Sequence, residues 1–241
     1  MSLTGIKAVL FDMDGTLRES QPTGGEVFIE YALSLGLPVS EHDRILAARW
    51  EHYYFAGSPE IREDFQKFGD DDKGFWQNFG QRRLVALGCS VQQAEELAPA
   101  FSKHMEENYK PTDVIPEGAF EALESLRQRG YVLGVVSNRD LPYHERLREL
   151  GLASYFSFSL AAGEVHSWKP SPGIFEVALK QAETKARETV YVGDNYFADV
   201  VGARSAGLQP ILYDRLNIFE DPGCPVITSF LQLPALLNGR A

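Results

Sequence analysis

Two aspartates stand two residues apart in Phe11-Asp-Met-Asp-Gly-Thr-Leu17, directly after the apolar-rich run Ile6-Lys-Ala-Val-Leu10. Carboxylates this close among apolar neighbours need a cation, or one of them must keep its proton. If strand geometry persists past the run, side chains i and i+2 project to one side, and Asp12 and Asp14 face a common site. Gly15 frees the backbone to turn away, and the Thr16 hydroxyl can hydrogen-bond locally to hold the turn. The pair therefore demands positive charge and a further metal ligand from elsewhere in the chain.

Later segments meet that demand. Val190-Tyr-Val-Gly-Asp194 sets another acid at the end of an apolar run, and Asp199 follows on the next helix. Hard oxygen ligands of this kind suit Mg2+, which binds a few carboxylates and keeps waters for a substrate. Val135-Val-Ser137-Asn138 offers a hydroxyl and a turn with free backbone amides, a combination suited to phosphate oxygens. Lys169, in Ser167-Trp-Lys-Pro-Ser-Pro172, supplies a compact positive charge in a proline-fixed loop. Each fragment alone reads as ordinary turn or helix-cap chemistry. Their joint occurrence, each at or near a strand end, is what points to a site.

The elements that must position these groups alternate from about residue 112 onward. Helical spacing over Glu117–Gly130 precedes the near-continuous apolar run Tyr131–Ser137, the mark of a strand buried on both faces. A helix over Pro142–Leu150, a short strand over Tyr155–Ser159 and a helix from Pro172 follow. Thr189–Gly193 reads as a second buried strand, Tyr196–Ala206 as a helix, and Gln209–Tyr213 as a strand. Pro225–Thr228 and a final helix, Phe230–Leu237, close the chain, and Lys7–Phe11 adds the first strand. The expected fold class is α/β, a Rossmann-like parallel sheet wrapped by helices. Residues 18–111 differ, with helical periodicity over Val27–Leu33, Arg44–Phe55, Phe79–Leu87 and Val91–His104 and no convincing buried strand. Gly57–Glu60 and Phe68–Gly74 read as loop, and Pro111–Pro116 as a hinge. The expected domains are an α/β core of residues 1–17 and 112–241 and a helical cap of residues 18–111, inserted after the first strand.

The chain has 241 residues, 44% hydrophobic and 12% aromatic, so a packed core is expected. A net charge of −11 and a pI near 5.0 argue against nucleic-acid and anionic-membrane surfaces. An anionic substrate stays compatible, because a metal ion and one lysine outweigh the global sign locally. Cys89 and Cys224 fit no Cys-x-x-Cys spacing and read as free thiols in a reducing cytoplasm. Neither a signal segment nor a membrane span is evident, and Met1-Ser-Leu3 is compatible with a cloning remnant.

Asp12-Met-Asp-Gly-Thr-Leu17, Ser137-Asn138, Lys169-Pro170 and Gly193-Asp194 with Asp199 resemble the four ordered motifs of the haloacid dehalogenase (HAD) superfamily. The resemblance spans the chain and is nearest to the phosphoglycolate-phosphatase-like members, whose helical cap follows the first motif. Asn195 stands where many members carry serine. The resemblance implies that Asp12 attacks phosphorus and becomes an aspartyl phosphate, while Asp14 protonates the leaving oxygen and then activates water. It implies Mg2+ held by the Asp12 carboxylate, the Asp14 backbone carbonyl and the Asp194 carboxylate. Asp199 would orient a metal-bound water or Lys169, with Thr16 in a similar supporting place. Ser137, the Asn138 backbone amide and Lys169 would hold the transferring phosphoryl group.

The expected function is Mg2+-dependent hydrolysis of a small-molecule phosphate ester, with monomer and homodimer equally open. A phosphomutase shares the whole core and is barely separated by sequence. A C–Cl dehalogenase needs only the first aspartate and no metal, so Asp14, Asp194 and Asp199 weigh against it. A receiver module is too short, and a non-catalytic regulatory relative is disfavoured because every motif position carries a competent residue. The five histidines form no ligand spacing, although His166 lies near Lys169 in sequence. Trp50–Phe55 reads as helix core. Arg18, Arg49 and Arg62 are candidates to read a second anionic group, and Asp70-Asp-Asp72 reads as a solvated charge run.

Overall fold

The apolar run before Asp12 forms strand β1 (Ala8–Phe11), every residue of it buried. A computed structural model describes residues 3–237; Met1 and Ser2 of the amino-terminal tripeptide lie outside the described residues. The chain divides into two compact units, one spanning Ser20–Asp113 and the other comprising the segments on either side. Strands β2 (Glu19–Gln21) and β3 (Thr112–Val114) form a two-stranded sheet where the chain leaves the first segment and returns.

The Ser20–Asp113 unit carries helices α1 (Gly24–Ser34), α2 (Glu41–Phe55), α3 (Pro59–Phe68), α4 (Asp72–Ala86) and α5 (Val91–Asn108). Two loop expectations are corrected here. Residues from Pro59 onward form α3, because Ser58 caps the Ile61 N–H at 3.2 Å and Pro59 sits at the first position, where its missing donor costs nothing. Helix α4 starts at Asp72 because Asp71 accepts from the Gly74 N–H at 3.0 Å, so the acidic run is partly a cap. Trp50–Phe55 contributes to the core of this unit, with Tyr54 fully buried among Ile61, Phe75 and Phe79. Its hydroxyl donates to Asp64 Oδ2 at 2.8 Å, and Arg82 donates to Asp64 Oδ1 at 2.9 Å.

In the other unit α6 (Ala119–Gln128) leads to β4 (Val132–Ser137), α7 (His144–Glu149), β5 (Phe158–Ala161) and α8 (Ala162–Val165). Helix α9 (Pro172–Gln181), β6 (Thr189–Gly193), α10 (Gly202–Ser205), β7 (Gln209–Tyr213), β8 (Val226–Ile227) and α11 (Leu233–Leu236) follow. Among the described residues the sheet runs β5-β4-β1-β6-β7-β8, with every ladder parallel. Alternate strand residues feed opposite faces. Val9, Phe11, Val135 and Val192 pack on one side with Leu123 and Leu126 of α6, while Leu10, Val136 and Tyr191 pack on the other with Ile174 and Phe175 of α9. Both faces are covered, which is why these strands read as unbroken apolar runs.

Strand β5 starts at Phe158, later than the expected Tyr155, because Ser157 N–H donates to Leu133 O at 2.8 Å and the ladder then pairs Gly134 with Phe158. Ala153–Tyr155 is a single 3-10 turn. The expected helix from Tyr196 opens as a π-helical stretch, Tyr196–Val201, before α10, a rare geometry that tends to mark functional positions.

Candidate active site

Because β1, β4 and β6 run parallel side by side, their carboxyl ends lie together. Phe11 is level with both Val135 and Val192. Open α/β sheets bind ligands at this edge. Asp12 N–H donates to Val192 O at 2.9 Å, so the chain follows β6 for one further residue. It then turns over Met13, whose carbonyl accepts from the N–H groups of Leu17 and Arg18 at 3.0 and 2.9 Å. Strand geometry thus ends at Phe11, and the two acids acquire different partners. Asp14 is gripped by Arg139, whose Nε donates to Oδ2 at 2.7 Å and Nη2 to Oδ1 at 2.8 Å; Arg18 Nη1 adds a contact to Oδ1 at 3.3 Å.

Asp12 instead meets Lys169, whose Nζ donates to Asp12 Oδ1 at 2.6 Å, Asp199 Oδ1 at 2.7 Å and the Tyr191 hydroxyl at 2.9 Å. Lys169 is 3% exposed and Asp199 1%. Each side chain is aimed by its element. Asn138, just past β4, donates from Nδ2 to Lys169 O at 2.9 Å and accepts at Oδ1 from Lys169 N–H at 2.6 Å. Tyr191, inside β6, donates to Val136 O at 2.7 Å, leaving its oxygen to accept from Lys169. Asn195 caps the π-helical turn by accepting from Phe197 and Ala198 N–H, while its own N–H donates to Asp199 Oδ2 at 2.9 Å. A Cβ on Gly193 would lie 2.3 Å from that carboxyl group, so only glycine lets Asp199 come this close.

Asp194 follows β6 and is tied to the first loop. Thr16 Oγ1 donates to Asp194 Oδ1 at 2.8 Å and accepts from Asp194 N–H at 3.0 Å. The Thr16 hydroxyl therefore bridges two strand ends, reaching beyond the local turn to Asp194. Gly15 has φ +91, a left-handed conformation, and a Cβ there would fall 2.4 Å from Asp194 Oδ2.

Asp12, Asp194 and Asp199 each bring one oxygen within 4.8 Å of the others. Burial pushes the Asp12 carboxyl up to about 7, with the Lys169 ammonium offsetting part of the effect and Asp199 adding to it. Burial and then the charges of Asp12 and Asp199 hold Asp194 well above the usual carboxylate range. Burial alone would pull Lys169 down, but Asp12 and Asp199 together outweigh it and hold the ammonium firmly protonated. One ammonium among three carboxylates leaves negative charge that a divalent cation would relieve. Asp199 has both oxygens engaged, whereas Asp12 Oδ2 and Asp194 Oδ2 accept no hydrogen bond among the described residues. This hard-oxygen donor set fits Mg2+.

Ser137, the last residue of β4, is buried at the same carboxyl edge. Arg62 is tied to Gly57 O through Nε and Nη2 at 2.9 and 2.6 Å, a loop clamp within its own unit. His166 is exposed, and none of the histidines joins the acidic cluster. Sequence reasoning missed Arg139 and Tyr191. Arg139 directly follows Ser137-Asn138, a placement that could have flagged it, whereas Tyr191 looked like any other residue of a buried strand.

A family model for haloacid dehalogenase-like hydrolases matches residues 6–207, and the chain belongs to that family. The ribulose-1,5-bisphosphate 5-phosphatase of Halopiger xanaduensis is 28% identical over 214 residues, covering 86% of this chain and 84% of its own. Among solved structures, a 2-haloacid dehalogenase from Pseudomonas syringae pv. Tomato DC3000 aligns with a TM-score of 0.54 at 26% identity, covering 96% of this chain and 97% of its own. A predicted phosphoglycolate phosphatase from Haemophilus somnus 129pt shares the fold, with a TM-score of 0.60 at 18% identity over 98% of this chain and 99% of its own. The protein is accordingly an enzyme, a HAD-like hydrolase, and no helix among the described residues is long and apolar enough to cross a membrane.

Proposed function

We propose that the enzyme is an Mg2+-dependent phosphatase that hydrolyses a small phosphorylated metabolite through an aspartyl phosphate on Asp12. The observation that carries this reading is the buried Asp12 carboxylate, with Oδ1 on Lys169 and one oxygen within 4.8 Å of an oxygen each of Asp194 and Asp199. Asp12 attacks phosphorus, the ester P–O bond breaks, and Asp14 gives its proton to the leaving oxygen. Asp14 then takes a proton from water, which displaces the phosphoryl group from Asp12 and releases inorganic phosphate. Lys169, the Ser137 hydroxyl and the Asn138 amide steady the phosphoryl oxygens, a role suited to a reaction dominated by positioning and charge neutralisation. Mg2+, held by Asp12, Asp194 and the Asp14 carbonyl, would neutralise phosphoryl charge. The α/β unit is then the catalytic domain, the helical unit its cap, and two unpaired thiols accord with a cytoplasmic setting.

Likeness to a dehalogenase gives C–Cl hydrolysis as the second reading. The Thr16–Asp194 arrangement favours the phosphatase, since a metal-free displacement by Asp12 has no use for it. The test is phosphate release from a panel of phosphate esters with and without Mg2+, beside chloride release from 2-chloro acids, in wild type and Asp12→Asn. Phosphate release that needs both Mg2+ and Asp12 supports the proposal. Metal-independent turnover, full activity in Asp12→Asn, or chloride release alone overturns it. An isomerised sugar phosphate without free phosphate would identify a mutase.

A further inference from the structure

Three successive residues after β4 hold two loops, the one carrying Trp168 and Lys169 and the one carrying Asp14. Asn138 holds the backbone of Lys169, Arg139 holds Asp14, and Asp140 Oδ1 accepts from Trp168 Nε1 at 3.1 Å. The segment is itself wedged in place. Gly163 N–H donates to Arg139 O at 3.1 Å, and a Cβ on Gly163 would lie 1.9 Å from Asp140 O. The Arg139 guanidinium lies 5.8 Å from the Tyr143 ring, whose hydroxyl donates to Leu160 O at 3.1 Å. Arg139 is thus held at its backbone carbonyl and flanked by an anchored ring, while its side chain stays 36% exposed.

Its fork makes two roughly parallel bonds, which set the plane of the Asp14 carboxylate as well as its position. A lysine, a single rotatable point charge, lacks that geometry. An ionised carboxylate offers about four acceptor positions. The fork occupies one on each oxygen, and Arg18 takes a second on Oδ1. The position left over belongs to Oδ2.

We propose that Arg139 is a positioning residue for the reaction, aiming Asp14 so that Oδ2 is the atom that exchanges a proton with the leaving oxygen and with water. This rests on the phosphatase reading above. In the first step the Asp12–phosphorus bond forms, the ester P–O bond breaks with its electron pair on the leaving oxygen, and that oxygen takes the proton from Asp14 Oδ2. In the second, the water–phosphorus bond forms, the Asp12–phosphorus bond breaks, and the proton released by water returns to Oδ2. Arg139 keeps its own protons throughout.

A well-aimed acid matters most when the leaving oxygen is strongly basic. The test compares kcat/KM for phosphate esters from p-nitrophenyl to primary alkyl, with Mg2+, in wild type, Arg139→Lys, Arg139→Gln and Asp14→Asn. Both Arg139 variants should lose about 100-fold on alkyl esters and no more than about fivefold on p-nitrophenyl phosphate, within the range for one general acid. Lys should be no better than Gln, because geometry and not charge is at stake. Thermal melts check folding; if Arg139→Gln does not fold, Arg139→Lys alone carries the comparison. Equal losses across the series would assign Arg139 to binding or to structure, and unchanged kinetics would leave it no role; either overturns the proposal. A steeper leaving-group dependence in Asp14→Asn with none in the Arg139 variants refutes Arg139 alone. Inertness of the wild type towards every ester, or an unchanged dependence in Asp14→Asn, refutes the phosphatase reading and this proposal with it.

Discussion

Stripped of divalent cations, the enzyme should lose stability as pH rises towards neutrality. Burial raises the Asp12 carboxyl from the ordinary 3.8 to about 7, Lys169 offsetting and Asp199 adding. Between those values the folded protein keeps a proton that the unfolded chain has released, so the unfolding free energy falls by about 1.4 kcal/mol per pH unit. The whole window is worth about 4 kcal/mol at most, and Asp194, also raised, acts with the same sign. Half-buried Glu124 and Glu188 have values lowered by their hydrogen bonds to Arg127 and Lys7, so their contribution is lost only as pH falls below the ordinary carboxylate range, outside this window. At roughly 2–4 °C per kcal/mol for a chain of this size, Asp12 alone should lower the melting temperature by about 5–10 °C between about pH 5 and pH 7. The assay is thermal unfolding in chelator across that range, for wild type and Asp12→Asn, repeated with Mg2+. Asp12→Asn should flatten the slope, and Mg2+ should raise the wild-type melting temperature most at the highest pH. A wild-type curve that is level or rises with pH, or an equal slope in Asp12→Asn, would refute the reasoning.

Other consequences follow from single contacts. Thr16→Val keeps the shape but leaves the Asp194 N–H without its partner, so stability should fall by about 1–3 kcal/mol and the Mg2+ concentration for half activity should rise about 10–100-fold, read by metal titration. Gly193→Ala drives a methyl group to 2.3 Å from the Asp199 carboxyl and should cost about 1–3 kcal/mol in thermal melts while removing most turnover; retained activity would contradict the contact. Tyr54→Phe leaves Asp64 with Arg82 and should destabilise the protein by about 1 kcal/mol in denaturant titrations at unchanged kcat.

Much of the protein was legible in the chain itself. Apolar runs of strand length, each followed by an acid, a hydroxyl or a turn, determine which residues emerge at the carboxyl edge once those strands lie parallel, because strand direction alone puts Asp12, Ser137 and Asp194 at one end. The helix starts at Pro59 and Asp72 were missed, because their capping residues Ser58 and Asp71 are equally ordinary turn formers. The partners were not legible either. The alternation that would have aimed Asp14 beside Asp12 stops with β1 at Phe11, and beyond a strand end no period governs side-chain direction. That Asp14 faces Arg139, that Thr16 bridges to Asp194, and that Tyr191 backs Lys169 depends on sheet order and loop packing between residues far apart in sequence. Tertiary structure decided those pairings, because only strand register and steric room, such as the gap left by Gly193, select one buried polar arrangement among the many that composition permits.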